Sequence, residues 1–430
     1  MKVVKAVKRV KVAGEQPFPG KSFMSFIHFT VFMMVFVTAL AGQQTQAPRP
    51  TFRAGVDLVR VEVQVVDRDG IPVPQLGLTD FEVKIDGRKR PVVSADLINY
   101  DPALIAKSVV ASPSLADFGR RPSDRMFVMA IDEASLKPGD AMVAAQAGRK
   151  FIDTLHETDY IGLYKFPVIE RQLDLTHGHA AVKLALGKII GSFMHVRGEF
   201  NLSPSEISDI TATDYEVWQQ VVRRECDPVD LSCPDRIVNE ARTTASYAEA
   251  DAATRVHSLR YLLDALATVA GRKTLVVISG GMFSSDRTSG RPNVDSMMAR
   301  LGQEAAIANT ALYVLHLDSS FVDSLTRSGG RSPAPGDPHP FMNSVRDGQM
   351  QALGLERLAG AAGGGYIRIQ AGTPDYAFGR VLRESAAYYL LGVQPEDRDR
   401  DGRPHYIRTT VKAKGATVRG RSHVIIPRRK

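Results

Sequence analysis

Cysteine is nearly absent from this chain: Cys226 and Cys233 are the only two in 430 residues. Two thiolates with no nearby histidine pair cannot fill the four positions of a structural zinc site, which excludes that class. They flank a short turn-rich loop, Glu225-Cys226-Asp227-Pro228-Val229-Asp230-Leu231-Ser232-Cys233-Pro234. In an oxidising compartment a disulfide closing it is the natural expectation, stabilising by about 2–3 kcal/mol. The chain also has no basic stripe interleaved with aromatics, so nucleic acid is not an expected partner. Gly363-Gly364-Gly365 lacks the following Lys and Ser/Thr of a phosphate cradle and reads as a turn into a strand. Ser279-Gly280-Gly281 lacks the glycine that a nucleophile elbow needs two places before its serine, where Val277 stands. No nucleophile–base pair occurs in a supporting context, so the expectation is a protein that is not an enzyme.

The charge that is present is concentrated at one end. Of the formal net charge of +8, residues 1–41 carry six basic side chains against Glu15 alone, and the remainder of the chain is close to neutral for its size. The basic stretch precedes Phe23 to Leu40, a run without Lys, Arg, Asp or Glu, and Ala39-Leu40-Ala41 leads into polar Gly42-Gln43-Gln44. This pattern predicts a signal peptide over 1–41 and export to the periplasm or the exterior. The alternative is an uncleaved anchor over 23–40 in the inner membrane, the chain's one expected membrane contact.

Residues 42–55 read as a linker. Over 56–100 the pattern has period two: Val59, Val61, Val63 and Val65 alternate with Arg60, Glu62 and Gln64, and Phe81, Val83 and Ile85 with Glu82, Lys84 and Asp86. Asp69-Gly70 and Asp86-Gly87 mark tight turns. Three strand-like runs follow within 387–427. Each β unit alone has little core, so the two are expected to pair into one antiparallel sandwich with the central region inserted between them.

The central region, 122–386, opens on Met126 to Ile131, an unbroken apolar run that ends at Asp132. Such a run predicts a strand covered on both faces. Further strands are expected at Tyr160–Phe166, Arg171–Leu175, Thr274–Ile278, Ala311–Leu317 and Tyr366–Ile369. Helices are expected from Pro138, over Val182–Ile190 and Thr254–Ala270, from about Val294 to Asn309, and ending near Ala361. Their alternation predicts an α/β fold with a doubly wound, mostly parallel sheet. Residues 191–253 interrupt the rhythm as an insertion. There Ser203-Pro204-Ser205-Glu206 forms a capping box, opening a helix expected to carry Trp218 towards the cysteine loop.

Taken in order, these pieces resemble a von Willebrand factor type A domain protein of the secreted bacterial branch called VWFA-related. The likeness rests on Phe127 to Asp132, Asp159 to Leu163, Gly271 to Gly281, the flanking Val65 to Gly70 and Asp80 to Val83, and Tyr388 to Val393. It implies a Rossmann-like fold with a metal-ion-dependent adhesion site above the sheet, where Asp-x-Ser-x-Ser, a Thr and a second Asp hold Mg²⁺. A carboxylate of the protein ligand completes that octahedron. Asp132 matches the first aspartate. The two serines fall on Ala134 and Leu136, with Ser135 one place off register, and the second aspartate falls on Gly280. Asn201, Ser203 and Ser205 lie in the region of the Thr.

The resemblance therefore implies a degenerate site in which Asp132, Glu133 and Ser135 are the remaining metal candidates and Mg²⁺ binds weakly at most. Without metal, Asp132 is expected to be an exposed carboxylate near helix N-termini. The ligand crevice would be formed by Asp132, Ser135, Ser279, Gly280, Asn201, Ser203 and Ser205, with specificity from loops 191–205, 226–233 and 328–340. The function so implied is an exported, adhesion-type protein-binding module. A structural envelope component and a hydrolase are the alternatives from other classes.

Overall fold

In the computed structural model the described residues are 58–100, 125–168, 172–193, 198–319, 340–370 and 374–428. The expected signal peptide, the linker and residues 328–339 of the third loop lie outside them. Among the described residues no helix is long and apolar enough to cross a membrane.

The period-two N-terminal segment forms β1 (Val59–Val66), β2 (Phe81–Ile85), β3 (Arg88–Arg90) and β4 (Val92–Asn99). The apolar run forms β5 (Met126–Asp132). Helix α1 (Pro138–Asp153) begins on its proline, the position where a missing N–H costs nothing. Next come β6 (Tyr160–Phe166), β7 (Gln172–Thr176) and helix α2 (His179–Leu186). The insertion supplies α3 (Pro204–Thr211), α4 (Tyr215–Glu225) and the first part of α5 (Cys233–Ala267). Beyond it lie β8 (Lys273–Ser279), α6 (Asp295–Ile307), β9 (Thr310–Leu317), α7 (Pro340–Ala361), β10 (Gly365–Ile369) and α8 (Asp375–Glu384). The chain ends in β11 (Ala387–Val393), β12 (Pro404–Val411), β13 (Thr417–Gly420) and β14 (His423–Ile425).

The central sheet has the order β10-β9-β8-β5-β6-β7, with all neighbours parallel except β6 and β7. Alternation along each strand divides its apolar residues between two cores. Phe127, Met129, Ile131, Val276 and Ile278 pack with side chains of α1, α2 and α8. Val128, Ala130, Leu275 and Val277 pack with α5, α6 and α7. Both faces are covered, which is why these strands read as continuous hydrophobic runs.

The strands outside this region form two antiparallel sheets, β13-β1-β11-β4 and β14-β12-β2-β3. Each sheet mixes strands from the two ends of the chain: β1 lies against β11 with Val61 opposite Leu391, and β2 lies against β12 with Ile85 opposite Ile407. Val61, Val63, Val83, Ile85, Tyr389, Leu391 and Ile407 share one core. Buried Gln64 ties these strands to the α/β region, accepting from Tyr313 Oη at 3.0 Å and donating to Glu384 O at 3.1 Å.

Three expected helix boundaries change. The helix expected over Val182–Ile190 instead spans His179–Leu186. The segment from Ser203 to Trp218 is two helices rather than one. Thr213 takes a left-handed conformation (φ 66°), and Asp214 then caps α4, its Oδ1 accepting from Glu216 N and Val217 N. The largest difference is α5, which starts at Cys233 rather than Thr254 and runs for 35 residues. Its N-terminal half buries Ile237, Ala241, Ala245 and Ala252, mostly small side chains whose period is weak in a hydrophobicity pattern. The insertion is thus partly an extension of a core helix.

In the terminal sheets, His405 of β12 joins two acidic turns. Its Nδ1 lies 2.7 Å from Asp86 Oδ2 and its Nε2 3.0 Å from Asp401 Oδ1. The Asp86 bond raises the His405 pKa above the ordinary 6.5, burial opposes this, and Asp401 adds to the rise. A pKa raised in the folded state gives stability that is complete below pH 6.5 and is lost as pH rises through the raised value. Thermal unfolding followed by circular dichroism across neutral pH should show the wild-type midpoint falling through that window. His405→Gln should flatten the fall; equal slopes in both proteins would contradict this assignment.

Candidate functional site

The two central strands of the sheet, β5 and β8, send their chains in opposite directions. From β5 the chain passes through α1 to β6; from β8 it passes through α6 to β9. Connections that diverge at adjacent parallel strands open a crevice beyond their carboxyl ends. Asp132 is the last residue of β5 and Ser279 the last of β8. Arg255 enters from α5, and Ser135 from the 3₁₀ turn Glu133–Ser135.

These four side chains form a closed hydrogen-bond cluster. Asp132 is 1% exposed, which corrects the expectation of an exposed carboxylate. Its Oδ2 accepts from Ser279 Oγ at 2.7 Å and from Arg255 Nη1 at 3.2 Å. Arg255 Nη1 also donates to Gly281 O at 2.8 Å, and Nη2 pairs with Asp251 one turn earlier. Ser135 Oγ donates to Asp132 O at 2.9 Å, accepts from Gly280 N at 2.7 Å and lies 3.1 Å from Ser279 Oγ. Burial pushes the Asp132 pKa up; the Arg255 charge opposes this most, followed by the Ser279 and Ser135 hydroxyls. Asp132 Oδ1 and Arg255 Nε are buried without a hydrogen-bond partner.

Arg255 and the buried His316 are site residues that sequence reasoning missed. Arg255 belongs to the buried phase of α5, three residues after Ala252 and four before Leu259. That helical phase was the available signal, but an arginine beside a hydrophobic stripe ordinarily lies at the solvent boundary. His316 stands opposite Ser279 in the β8–β9 register. Burial lowers its pKa to about 4, so it is neutral at neutral pH. Gly280 O, 3.3 Å from Nε2, can only accept, so Nε2 carries the proton and Nδ1 accepts from Tyr366 Oη at 2.7 Å. His316 thus braces the loop after β8.

Other expected site residues are held elsewhere. Glu133 turns towards β6, its Oε2 2.8 Å from Lys165 Nζ. Ser203 caps α3 in a reciprocal box with Glu206, as expected. Ser205 N donates to Asp347 Oδ1 at 2.8 Å, which ties α3 to α7, and the Asn201 backbone carbonyl accepts from Arg224. No hydrogen bond among the described residues joins Asn201, Ser203 or Ser205 to Asp132, Ser135 or Ser279. Cys226 and Cys233 form the expected disulfide, with Cα atoms 5.7 Å apart.

The residues present do not fit an octahedral Mg²⁺ site. Ala134, Leu136 and Gly280 bring no side-chain oxygen, and Glu133 is engaged by Lys165. One oxygen of Asp132 already faces a guanidinium. Position 280 has no room for a second aspartate either, because a Cβ there would lie 2.2 Å from Ser135 O. The loop after β5 packs directly onto that glycine. Among the described residues no group of three or more His, Cys, Asp or Glu side chains could hold a metal ion.

Comparison of the fold with solved structures finds proximal thread matrix protein 1 from the mussel byssus, described with a zinc-occupied MIDAS motif. It is 8% identical, with a TM-score of 0.30 over 64% of this chain and 48% of that one. The pilus adhesin SpaC from Lactobacillus rhamnosus GG, in an open conformation, is also 8% identical, with a TM-score of 0.31 over 69% of this chain and 43% of the adhesin. The chain therefore matches less than half the length of either protein. No family model matches the sequence, and no curated protein does.

The steric reading of position 280 is directly testable. Gly280→Asp restores a carboxylate at the place implied by the resemblance, yet it should lower the thermal midpoint markedly and confer no Mg²⁺ binding. A normally stable Gly280→Asp protein that binds Mg²⁺ in titration calorimetry would overturn the packing described here.

Proposed function

We propose that this chain is an exported, non-enzymatic protein-binding module of the adhesion type, built on a von Willebrand A-like α/β scaffold, and that its contact surface is the tip of the insertion. The observation that carries this is the cross-linked loop between α4 and α5. There Val229 and Leu231 are 85% and 89% exposed.

Physical chemistry makes that loop unusual. Two aliphatic side chains stand in water on a segment that cannot collapse over them, because it is internally fixed. Asp227 Oδ1 accepts from Val229 N, Asp230 Oδ1 accepts from Ser232 N, and Arg236 Nη2 pairs with Asp230 Oδ2 at 2.8 Å. The Cys226–Cys233 bond closes the loop, and Cys233 is anchored in a small core with Phe200, Ile210, Val221, Ile237 and Ala241. Preorganised apolar groups lose little entropy on binding. Burial against a partner would bring about 1.5–3 kcal/mol from each side chain.

The position of the loop supports the same reading. Twenty-two residues of α5 separate Cys233 from Arg255, about 33 Å at roughly 1.5 Å per residue. Arg255 is level with the carboxyl ends of the strands, so the helix carries the disulfide loop well beyond the sheet. The crevice itself is occupied by its own side chains. Ser279 gives its proton to a carboxylate that Arg255 already holds, and His316 bonds to Gly280 and Tyr366 rather than to Ser279. A serine without a free base is a poor nucleophile. The disulfide also suits an oxidising, extracytoplasmic setting.

The immobilised full chain should retain a defined protein from native envelope extract. Val229→Ser with Leu231→Ser should abolish that retention while leaving the thermal midpoint unchanged. Equal retention by the double variant would exclude the tip as the contact surface. Turnover of ester, peptide or glycoside substrates that is lost in Ser279→Ala would overturn the non-enzymatic assignment.

A further inference from the structure

We propose that Arg255 is the resident cation of the strand-end crevice, a fixed guanidinium around which this chain has arranged the oxygen atoms that would otherwise gather around a divalent metal ion. This cation holds the crevice together whichever partner the insertion tip meets.

The oxygens are already gathered at that point. Asp132 Oδ2 at 3.2 Å and Gly281 O at 2.8 Å both accept from Arg255 Nη1. Ser279 Oγ lies 2.7 Å from that same Asp132 oxygen, and Ser135 Oγ is 3.1 Å from Ser279 Oγ. Asp132 Oδ1 is buried without a hydrogen-bond partner. A carboxylate, a backbone carbonyl and hydroxyls are the hard donors that Mg²⁺ and Mn²⁺ select. Of these, the Asp132 carboxylate and the Gly281 carbonyl face the Arg255 guanidinium directly, and the two hydroxyls stand behind the carboxylate.

A divalent ion cannot simply join this arrangement. It would share Asp132 Oδ2 with a guanidinium a few ångströms away, in a site excluded from water where like charges repel strongly. Either the arginine or the metal occupies the centre. The helix decides in favour of arginine: Arg255 is delivered from the buried phase of α5, and its Nη2 is held from the same helix by Asp251. The substitution also explains why the rest of a metal site is missing. With a positive charge supplied by α5, oxygen donors at positions 134, 136 and 280 have nothing to coordinate.

The test uses the full chain and four proteins: wild type, Arg255→Ala, Arg255→Gln, and Asp132→Asn combined with Arg255→Ala. Thermal midpoints are read in EDTA, in millimolar Mg²⁺ and in millimolar Mn²⁺, with Mn²⁺ binding followed by electron paramagnetic resonance. The wild-type midpoint should be unmoved by EDTA or either ion, and wild type should leave the free Mn²⁺ signal intact. Arg255→Ala should lose roughly 5 °C or more, recover part of that loss in Mn²⁺, and bind the ion; the Asp132→Asn combination should recover nothing. Arg255→Gln keeps more of the side chain than alanine does, without the charge, and gives the same readout if the alanine variant does not fold. Wild type that binds Mn²⁺ through Asp132, or whose midpoint falls in EDTA, would overturn the proposal. So would a folded Arg255→Ala or Arg255→Gln protein with no gain of Mn²⁺ affinity. The wild-type measurement decides on its own if neither variant folds.

Discussion

One buried carboxylate sets the terms for the centre of this molecule. Asp132 ends a strand covered on both faces by helices, so its charge has no access to solvent and must be met from within. An isolated carboxylate in such a place is costly enough to force either protonation or a partner. The chain supplies the partner from α5, and everything near Asp132 follows from that choice. Ser279 and Arg255 share one carboxylate oxygen, Ser135 bonds the backbone carbonyl of the same residue, and Gly280 has no side chain because Ser135 O occupies the space. The end of β5, the turn after it and the loop after β8 are in this way one unit.

The same pair ties the core to the insertion. Below Arg255, α5 packs Val256, Leu259, Leu262, Leu263 and Leu266 against the sheet, with large aliphatic side chains giving an ordinary helix–sheet contact. Above it the buried residues shrink to alanines, Ile237 and Cys233, and the helix packs against α3 instead of the sheet. Acidic residues of α5 reach back to neighbouring loops: Glu249 accepts from Arg291, and Glu240 from the backbone N–H groups of Glu199 and Phe200. A long helix braced along its length is a suitable mount for the loop proposed as the contact surface, because contact energy at the tip is not lost to bending. The closed crevice and the exposed tip are two ends of one construction.

How much of this was legible in the amino-acid sequence depended on the range of the interaction. The parallel sheet showed itself in Met126 to Ile131 and Thr274 to Ile278, where a short, continuous, mostly hydrophobic run suits a strand buried on both faces. The capping box at Ser203 and the Cys226–Cys233 bond were equally plain, since both are closed by residues a few positions apart. The start of α5 was hidden because alanines carry little hydrophobic contrast, and the break at Thr213 because a left-handed threonine has no compositional signature. Asp132 was placed correctly at a strand end, but its environment was not. What determines that environment is Arg255, 123 residues away, and nothing in a linear pattern says which arginine will be turned inward. A resemblance that supplied a metal as the natural counter-charge made a protein-derived one harder to see.

The most direct test of the central pair is a double-mutant cycle on the full chain, with Asp132→Asn, Arg255→Met and the two combined, read as unfolding free energies in denaturant. Removing Arg255 alone leaves the buried Asp132 charge unmet and is expected to cost about 3–5 kcal/mol. Removing Asp132 alone leaves Arg255 with Asp251 and the Gly281 carbonyl, and removing both should cost far less than the sum. A coupling of roughly 2 kcal/mol or more between the two positions is the expected result. Additive effects, or single variants as stable as wild type, would show that Asp132 and Arg255 do not depend on one another and would contradict this account.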